Sequence, residues 1–266
     1  MRLRSKFLDA DLTDEGGSFT EFDWSNRRNR LFYRDKPFAV ESFRNGGECG
    51  VEVRGSARGG GKDFLQIEKK YTISDDSTAL KVDYRFGNMP AAMSALIYGL
   101  HIHTTLGIFG SMCAYYLPSV NGIVEVKRGL RPGSTWVHYP SRGWIAALDE
   151  HGRGVAITMP FREVKRLFAW ISQTPVPTLE WQMIPVSIEN GKHYDVPTEV
   201  IVFKGLEKVS GAGGGLVGEI SGGKAKVFNS RPHLADGDPH ERRGARGICR
   251  HHRDRRRRDR LGRRCG

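Results

Sequence analysis

From Phe64 to Asn88 the chain reads FLQIEKKYTISDDSTALKVDYRFGN, and its apolar residues recur at every second position. Leu65, Ile67, Tyr71 and Ile73 alternate with polar residues before Asp75-Asp76-Ser77; Leu80, Val82, Tyr84 and Phe86 alternate after it. Successive side chains of a strand point to opposite faces, so this period predicts a half-buried antiparallel hairpin. The Asp-Asp-Ser segment can bend the chain through side-chain-to-backbone hydrogen bonds.

The same form recurs along the chain. Strand-like runs include Phe38–Phe43, Gly50–Arg54, Ala95–Thr105, Ser111–Leu117, Ile123–Lys127, Thr135–Tyr139, Trp144–Leu148, Val155–Met159, Arg166–Ser172, Leu179–Ile184 and Glu199–Phe203. Breakers such as Asn45-Gly46-Gly47, Asn121-Gly122 and Glu150-His151-Gly152 separate them. No long segment combines a helical period with caps. About fifteen such runs predict an all-β, large antiparallel two-sheet sandwich over residues 1–208.

Past that boundary, SGAGGGLVGEISGGKA predicts a Gly-rich loop or linker over 209–230. Gly213, Gly215 and Gly218 satisfy GxGxxG, but no helical pattern follows to hold a pyrophosphate. Gly218 to Lys224 reads GxxxxGK, but Ala225 stands where a magnesium-binding Ser or Thr belongs. Neither is a nucleotide site.

Residues 231–266 carry 13 Arg against four Asp and one Glu, a balance of +8 out of the formal +12. The pI of about 9.7 therefore describes this segment. It has no aromatic residue and too little apolar surface to fold, so a disordered tail is expected. Clustered Arg can neutralise phosphates, and any nucleic-acid role would be confined to this tail; a solvated terminus is the preferred reading. A shifted reading frame through a GC-rich gene would also give such a composition.

Cys49, Cys113, Cys249 and Cys265 show no CxxC spacing, and the grouping Cys249, His251, His252, Cys265 fits no zinc pattern. No metal or cofactor is expected. No apolar run reaches the length of a membrane span. MRLRSKFLDADLTDEGG lacks the apolar core of a signal peptide, which makes a cytoplasmic location the default. RLRSKFL already reads as a strand, so the chain is expected to open as a fragment, with further domains or an export signal upstream.

In SALIYGLHIHTTL, Leu96, Tyr98, Leu100, Ile102 and Leu106 share an apolar face. Ala95, Ile97, Gly99, His101, His103 and Thr105 share the other, which suits the wall of a ligand groove. His101 and His103 can bind a metal or move a proton near neutral pH, but Gly107 and Ile108 stand where a cupin would need Glu. Later, Leu179, Trp181 and Met183 face one way while Glu180 and Gln182 face the other. Glu180 on the histidine face would complete an acid–base pair. Trp136, His138, Tyr139, Arg142 and Trp144 cluster around one Pro-containing turn, aromatic platforms with polar partners of the kind that bind sugar rings. Trp170 and Trp181 read as core.

The hairpin, the strand IYGLHIHTTL, the segment GWIAALDEHGRGVAI and the closing TLEWQMIPVSI together resemble the galactose mutarotase-like superfamily over residues 1–205. The resemblance implies a β-supersandwich shared by aldose 1-epimerases and by domains of glycosidases and polysaccharide lyases. It also implies that Glu180 takes the anomeric proton while His101, His103 or His138 protonates the ring oxygen. The chain departs from the epimerase pattern: it is short, lacks the Asn-His motif, and has His138 close after His103. The leading expectation is a carbohydrate-binding or carbohydrate-processing β-sandwich domain, part or relative of a larger carbohydrate-active protein. An epimerase is the alternative, and a nucleic-acid-associated protein the third reading.

Overall fold

The computed structural model describes residues 2–4, 9–11, 20–23, 30–31, 38–59, 62–87, 98–103, 113–128, 133–171, 177–184 and 191–231. The Arg-rich tail beyond 231, with Cys249 and Cys265, lies outside them. Strands β1 (Arg2–Arg4) and β2 (Asp9–Asp11) pair with each other. Then come β3 (Thr20–Asp23), β4 (Arg30–Leu31), β5 (Ala39–Asn45), β6 (Glu48–Gly59), β7 (Lys62–Ser74), β8 (Ala79–Gly87) and β9 (Tyr98–His103). The middle of the chain forms β10 (Cys113–Ser119), β11 (Gly122–Arg128), β12 (Gly133–His138), β13 (Trp144–Asp149) and β14 (Arg153–Thr158). A short 3-10 turn at Phe161–Glu163 leads into β15 (Val164–Ile171), followed by β16 (Pro177–Met183) and β17 (His193–Lys204). The last three are β18 (Gly211–Gly213), β19 (Leu216–Ser221) and β20 (Lys224–Asn229). Among the described residues no helix is long and apolar enough to cross a membrane.

A nine-stranded sheet in the order β11-β10-β13-β14-β17-β8-β7-β6-β5 faces a six-stranded sheet in the order β12-β15-β16-β9-β3-β4. All pairings are antiparallel, as the alternating pattern requires. Ile67, Val82, Tyr84, Phe86, Leu117, Ile145 and Ile157 of the larger sheet pack with Val137, Leu167, Leu179, Trp181 and Met183 of the smaller one. This is the core of the sandwich. The β7–β8 hairpin has the register read from the sequence, with Ile73 opposite Leu80, Tyr71 opposite Val82 and Ile67 opposite Phe86. Ser77 Oγ accepts from the Ala79 N–H at 3.0 Å to close its turn. The Tyr194 hydroxyl also donates to Glu163 Oε2 at 2.5 Å, tying β17 to the turn before β15.

Residues 209–230 correct the expectation of a loop or linker. They form a third sheet, β18-β19-β20, whose hairpins turn at Gly214-Gly215 and Gly222-Gly223. All four glycines have positive φ (+59°, +78°, +55° and +73°), the geometry of two-residue turns that follow strand twist. Val217, Leu206 and Val209 then cover Tyr116, Trp144, Ala146, Leu148, Ala156, Ile201 and Phe203 in a second core on the back of the nine-stranded sheet. Double coverage explains a contrast in patterning. All six residues of β13 are buried, whereas β8 beyond the third sheet alternates buried and exposed.

Strand β17 also runs further back than the predicted Glu199–Phe203, through Pro197. Strand β14 stops opposite Glu199, so at Pro197 only β8 is alongside and the missing N–H is tolerated.

Between β13 and β14, Asp149 accepts from the backbone N–H groups of His151 (2.9 Å) and Arg153 (2.8 Å) and from Arg153 Nε (2.7 Å). Burial alone would raise its carboxyl. These hydrogen bonds and the Arg153 charge outweigh that and hold it below the ordinary carboxylate range. A depressed folded-state value means that the stabilisation is complete above the unfolded carboxylate range, about pH 4, and is lost as pH falls through the folded value. Chemical denaturation of Asp149→Asn is therefore expected to show lower stability at neutral pH and a shallower loss below about pH 4 than the parent. A second pair of variants tests the third sheet. Val217→Ala should cost about 2 kcal/mol, whereas Val227→Ala, at 60% exposure, should stay within about 0.5 kcal/mol. Equal, near-zero effects would mean that 209–230 does not pack as a sheet.

Candidate functional site

The six-stranded sheet separates its side chains by chemistry. On β16, Leu179, Trp181 and Met183 enter the sandwich core, so Glu180 and Gln182 project from the opposite, outer face. On β15, Leu167 and Ala169 go inward, leaving Arg166 and Phe168 outside; on β12, Val137 goes inward, leaving Trp136 and His138 outside. Backbone register then sets Trp136, Phe168, Glu180, His101 and Thr20 in one row across five strands. The next row runs His138, Arg166, Gln182, Gly99 and Phe22. His103 is two positions along β9, opposite Thr178. For His101 and His103 the strand position is described; their side chains lie outside the described part.

Several of these outer-face residues are withdrawn from water. Glu180 and Gln182 are 5% and 2% exposed, and Phe168 is buried. Trp136, 39% exposed, lies parallel to Phe168 with ring centroids 4.0 Å apart and planes within 9°. Its Nε1 donates to Ser134 Oγ at 3.1 Å, which fixes the indole in place. Gln182 Nε2 and Arg166 Nε are both buried without a hydrogen-bond partner. The site therefore combines an aromatic shelf, a buried carboxylate and two unsatisfied donors.

Arg166 and Phe168 were not singled out from the sequence, although RLFAW alternates and the outward positions could have been paired with those of LEWQM. The bulge that sets their face lies just before that run. Val164 pairs with Met183 and Arg166 with Gln182, so Lys165 is an extra residue on β15. Both ends of the irregularity keep their own face: Val164 lies in the core and Arg166 outside it.

The cluster Trp136, His138, Tyr139, Arg142 and Trp144 does not stay together. Trp136 and His138 join Glu180 and Gln182. Tyr139, exposed and at φ +50°, donates its N–H to the Lys165 carbonyl at 2.8 Å and starts the crossover to the other sheet. Gly143 is required in that crossover, because a Cβ there would lie 1.9 Å from the Met159 carbonyl oxygen. Beyond it, Trp144 is buried in the second core, on the opposite side of the sandwich from Trp136. Arg142 and Trp144 line a separate cleft of about 610 Å³ with Phe161, Glu199 and the Gly211–Gly213 strand. Asp83, an exposed residue at its margin, has its carboxyl raised by partial desolvation against the pull of Lys81 and Lys70. A single sugar ring cannot touch both halves of the predicted set.

No protein-family model and no curated protein matches the sequence. Solved structures do match. The Slr1438 protein of Synechocystis is 12% identical with a TM-score of 0.51, covering 66% of this chain and 68% of that one. A candidate aldose 1-epimerase of Escherichia coli K12 is 12% identical with a TM-score of 0.50, covering 76% of this chain and 98% of that one. The α-N-acetylgalactosaminidase NagBb of Bifidobacterium bifidum, in its Gal-NHAc-DNJ complex, is 11% identical with a TM-score of 0.52. That match covers 70% of this chain and 30% of the enzyme. The antiparallel sandwich built here has the galactose mutarotase-like fold.

Proposed function

We propose that this protein binds carbohydrate on the outer face of the six-stranded sheet. The observation that carries the reading is the stacked Trp136–Phe168 pair beside buried Glu180 and Gln182. A half-exposed indole offers a flat apolar surface to the CH face of a sugar ring. Glu180 accepts and Gln182 both donates and accepts, so the two can fix neighbouring hydroxyls. The fold shared with a candidate epimerase and with part of a glycosidase agrees with this reading. Arg142 and Trp144 are left out of the primary site by their position, and Tyr139 borders it. The Arg-rich tail, to which any nucleic-acid role is confined, lies outside the described residues.

Titration of the full chain with galactose, glucose and N-acetylgalactosamine, followed by tryptophan fluorescence and NMR, tests this proposal. At least one sugar should bind, and Trp136→Ala should weaken it at least tenfold while the thermal melt stays near the parent's. Unaltered affinity in Trp136→Ala would move the site elsewhere.

One observation favours a second reading, an aldose epimerase: Glu180 stands directly opposite His101 in the register. In that chemistry Glu180 takes the proton of the anomeric hydroxyl as the bond from C1 to the ring oxygen breaks. An imidazole, His101 by register or His103 or His138 nearby, delivers a proton to that ring oxygen. Reclosure on the other face of C1 reverses the transfers and leaves both groups as they began. Polarimetry of freshly dissolved α-anomers should then show accelerated mutarotation, reduced at least a hundredfold in Glu180→Gln. An uncatalysed rate with sugars that demonstrably bind would leave a binding domain only.

A further inference from the structure

We propose that Arg166 and Gln182 form an anion-binding subsite, which makes the ligand a sugar carrying an acidic group. This rests on the outer face being a carbohydrate site, and it adds a chemical class to that reading.

The argument begins with unsatisfied donors. Gln182 is 2% exposed and its Nε2 has no hydrogen-bond partner; Arg166, its cross-strand neighbour, buries an unpartnered Nε. Buried donors without acceptors are rare in native proteins because the water they lost has not been replaced. Of the eight such side-chain atoms among the described residues, these two lie on neighbouring strands at the outer face, one on a guanidinium that stays charged at any physiological pH. No carboxylate among the described residues forms an ion pair with Arg166. A half-buried guanidinium with an unfilled Nε donor is costly, and an incoming anion supplies acceptors for it and for Gln182 together.

Geometry narrows the ligand further. Directly opposed residues on one face of an antiparallel pair have their Cβ atoms about 5 Å apart, so the two donors can converge on the oxygens of one carboxylate or phosphate. His138, exposed and opposite Arg166 on its other side, adds a third polar group to that row. Glu180 lies in the adjacent row with Phe168 and Trp136. Its carboxylate repels an anion, so the ligand's acidic group is directed to the Arg166 row and its ring and hydroxyls to the Trp136 row. The Lys165 bulge gives this arrangement its structural basis, because a strictly alternating β15 starting from inward-facing Val164 would turn Arg166 into the core.

The test compares the full-length protein's affinity for galactose, galacturonate and galactose 6-phosphate by isothermal titration at low and physiological salt. At least one acidic sugar should bind tenfold or more tightly than galactose, with the advantage shrinking as salt rises. The better of the two identifies a carboxylate or a phosphate as the acidic group. Arg166→Gln should bring the acidic and neutral affinities together, and Arg166→Lys should retain part of the difference. Galactose binding equal to or tighter than both acidic sugars would overturn the subsite while leaving the carbohydrate site standing. No binding of any of the three, in protein with a parent-like melt, would overturn both. The wild-type ratio and its salt dependence decide the matter even if an Arg166 variant does not fold.

Discussion

Burial of the nine-stranded sheet on both faces is the constraint on which the remaining architecture depends. Over β10, β13, β14 and β17 the front face meets the six-stranded sheet and the back face meets Leu206, Val209 and Val217. A strand in that position has no side on which to place polar residues, which is why β13 is Trp-Ile-Ala-Ala-Leu-Asp with only its terminal residue charged. That residue, Asp149, is satisfied by the turn that follows and by Arg153, so even the buried charge is compensated locally. Anchored this way, the larger sheet is a platform against which the smaller one is held in register.

The smaller sheet is buried against its partner through one face, and its function is proposed to reside on the other. Trp181, Leu179 and Leu167 fix the strands through the core, and the intervening residues thereby acquire defined neighbours. A row of Trp136, Phe168 and Glu180 is useful to a ligand only because three strands hold their relative heights. Backbone pairing sets those heights more tightly than a loop would, and the adjacent row with Arg166 and Gln182 benefits equally. The polar groups buried there cost stability, which the packing behind them offsets.

Much of this was readable in the chain. The β7–β8 hairpin and the split faces of β16 have the polarity that period-two patterning gives, and the Glu150-His151-Gly152 breaker marked the β13–β14 hairpin. Glu180 and Gln182 were legible as a polar face because Leu179, Trp181 and Met183 so plainly form the other. The third sheet was obscured by composition: Gly214-Gly215 and Gly222-Gly223 look like linker, yet a pair of adjacent glycines is also what a two-residue hairpin turn requires. LVGEIS and KAKVFN around the second pair were the available signal. Pro197 hid the first half of β17 for a similar reason, since a proline argues against a strand unless one neighbour is absent.

Alternation, turn chemistry and charge distribution are local properties, so the sequence alone determined that the chain is an antiparallel β protein with an acidic and an amide side chain on one strand face. Which strands lie beside one another is non-local. Only the tertiary structure decided that Glu180 stands opposite His101 and Phe168, or that Trp144 belongs to the far side of the sandwich while Trp136 does not. The crossover through Gly143 separates residues only a few positions apart, and the bulge at Lys165 fixes which face Arg166 takes. Neither leaves a periodic trace, because each is a single departure from the period that made the rest legible.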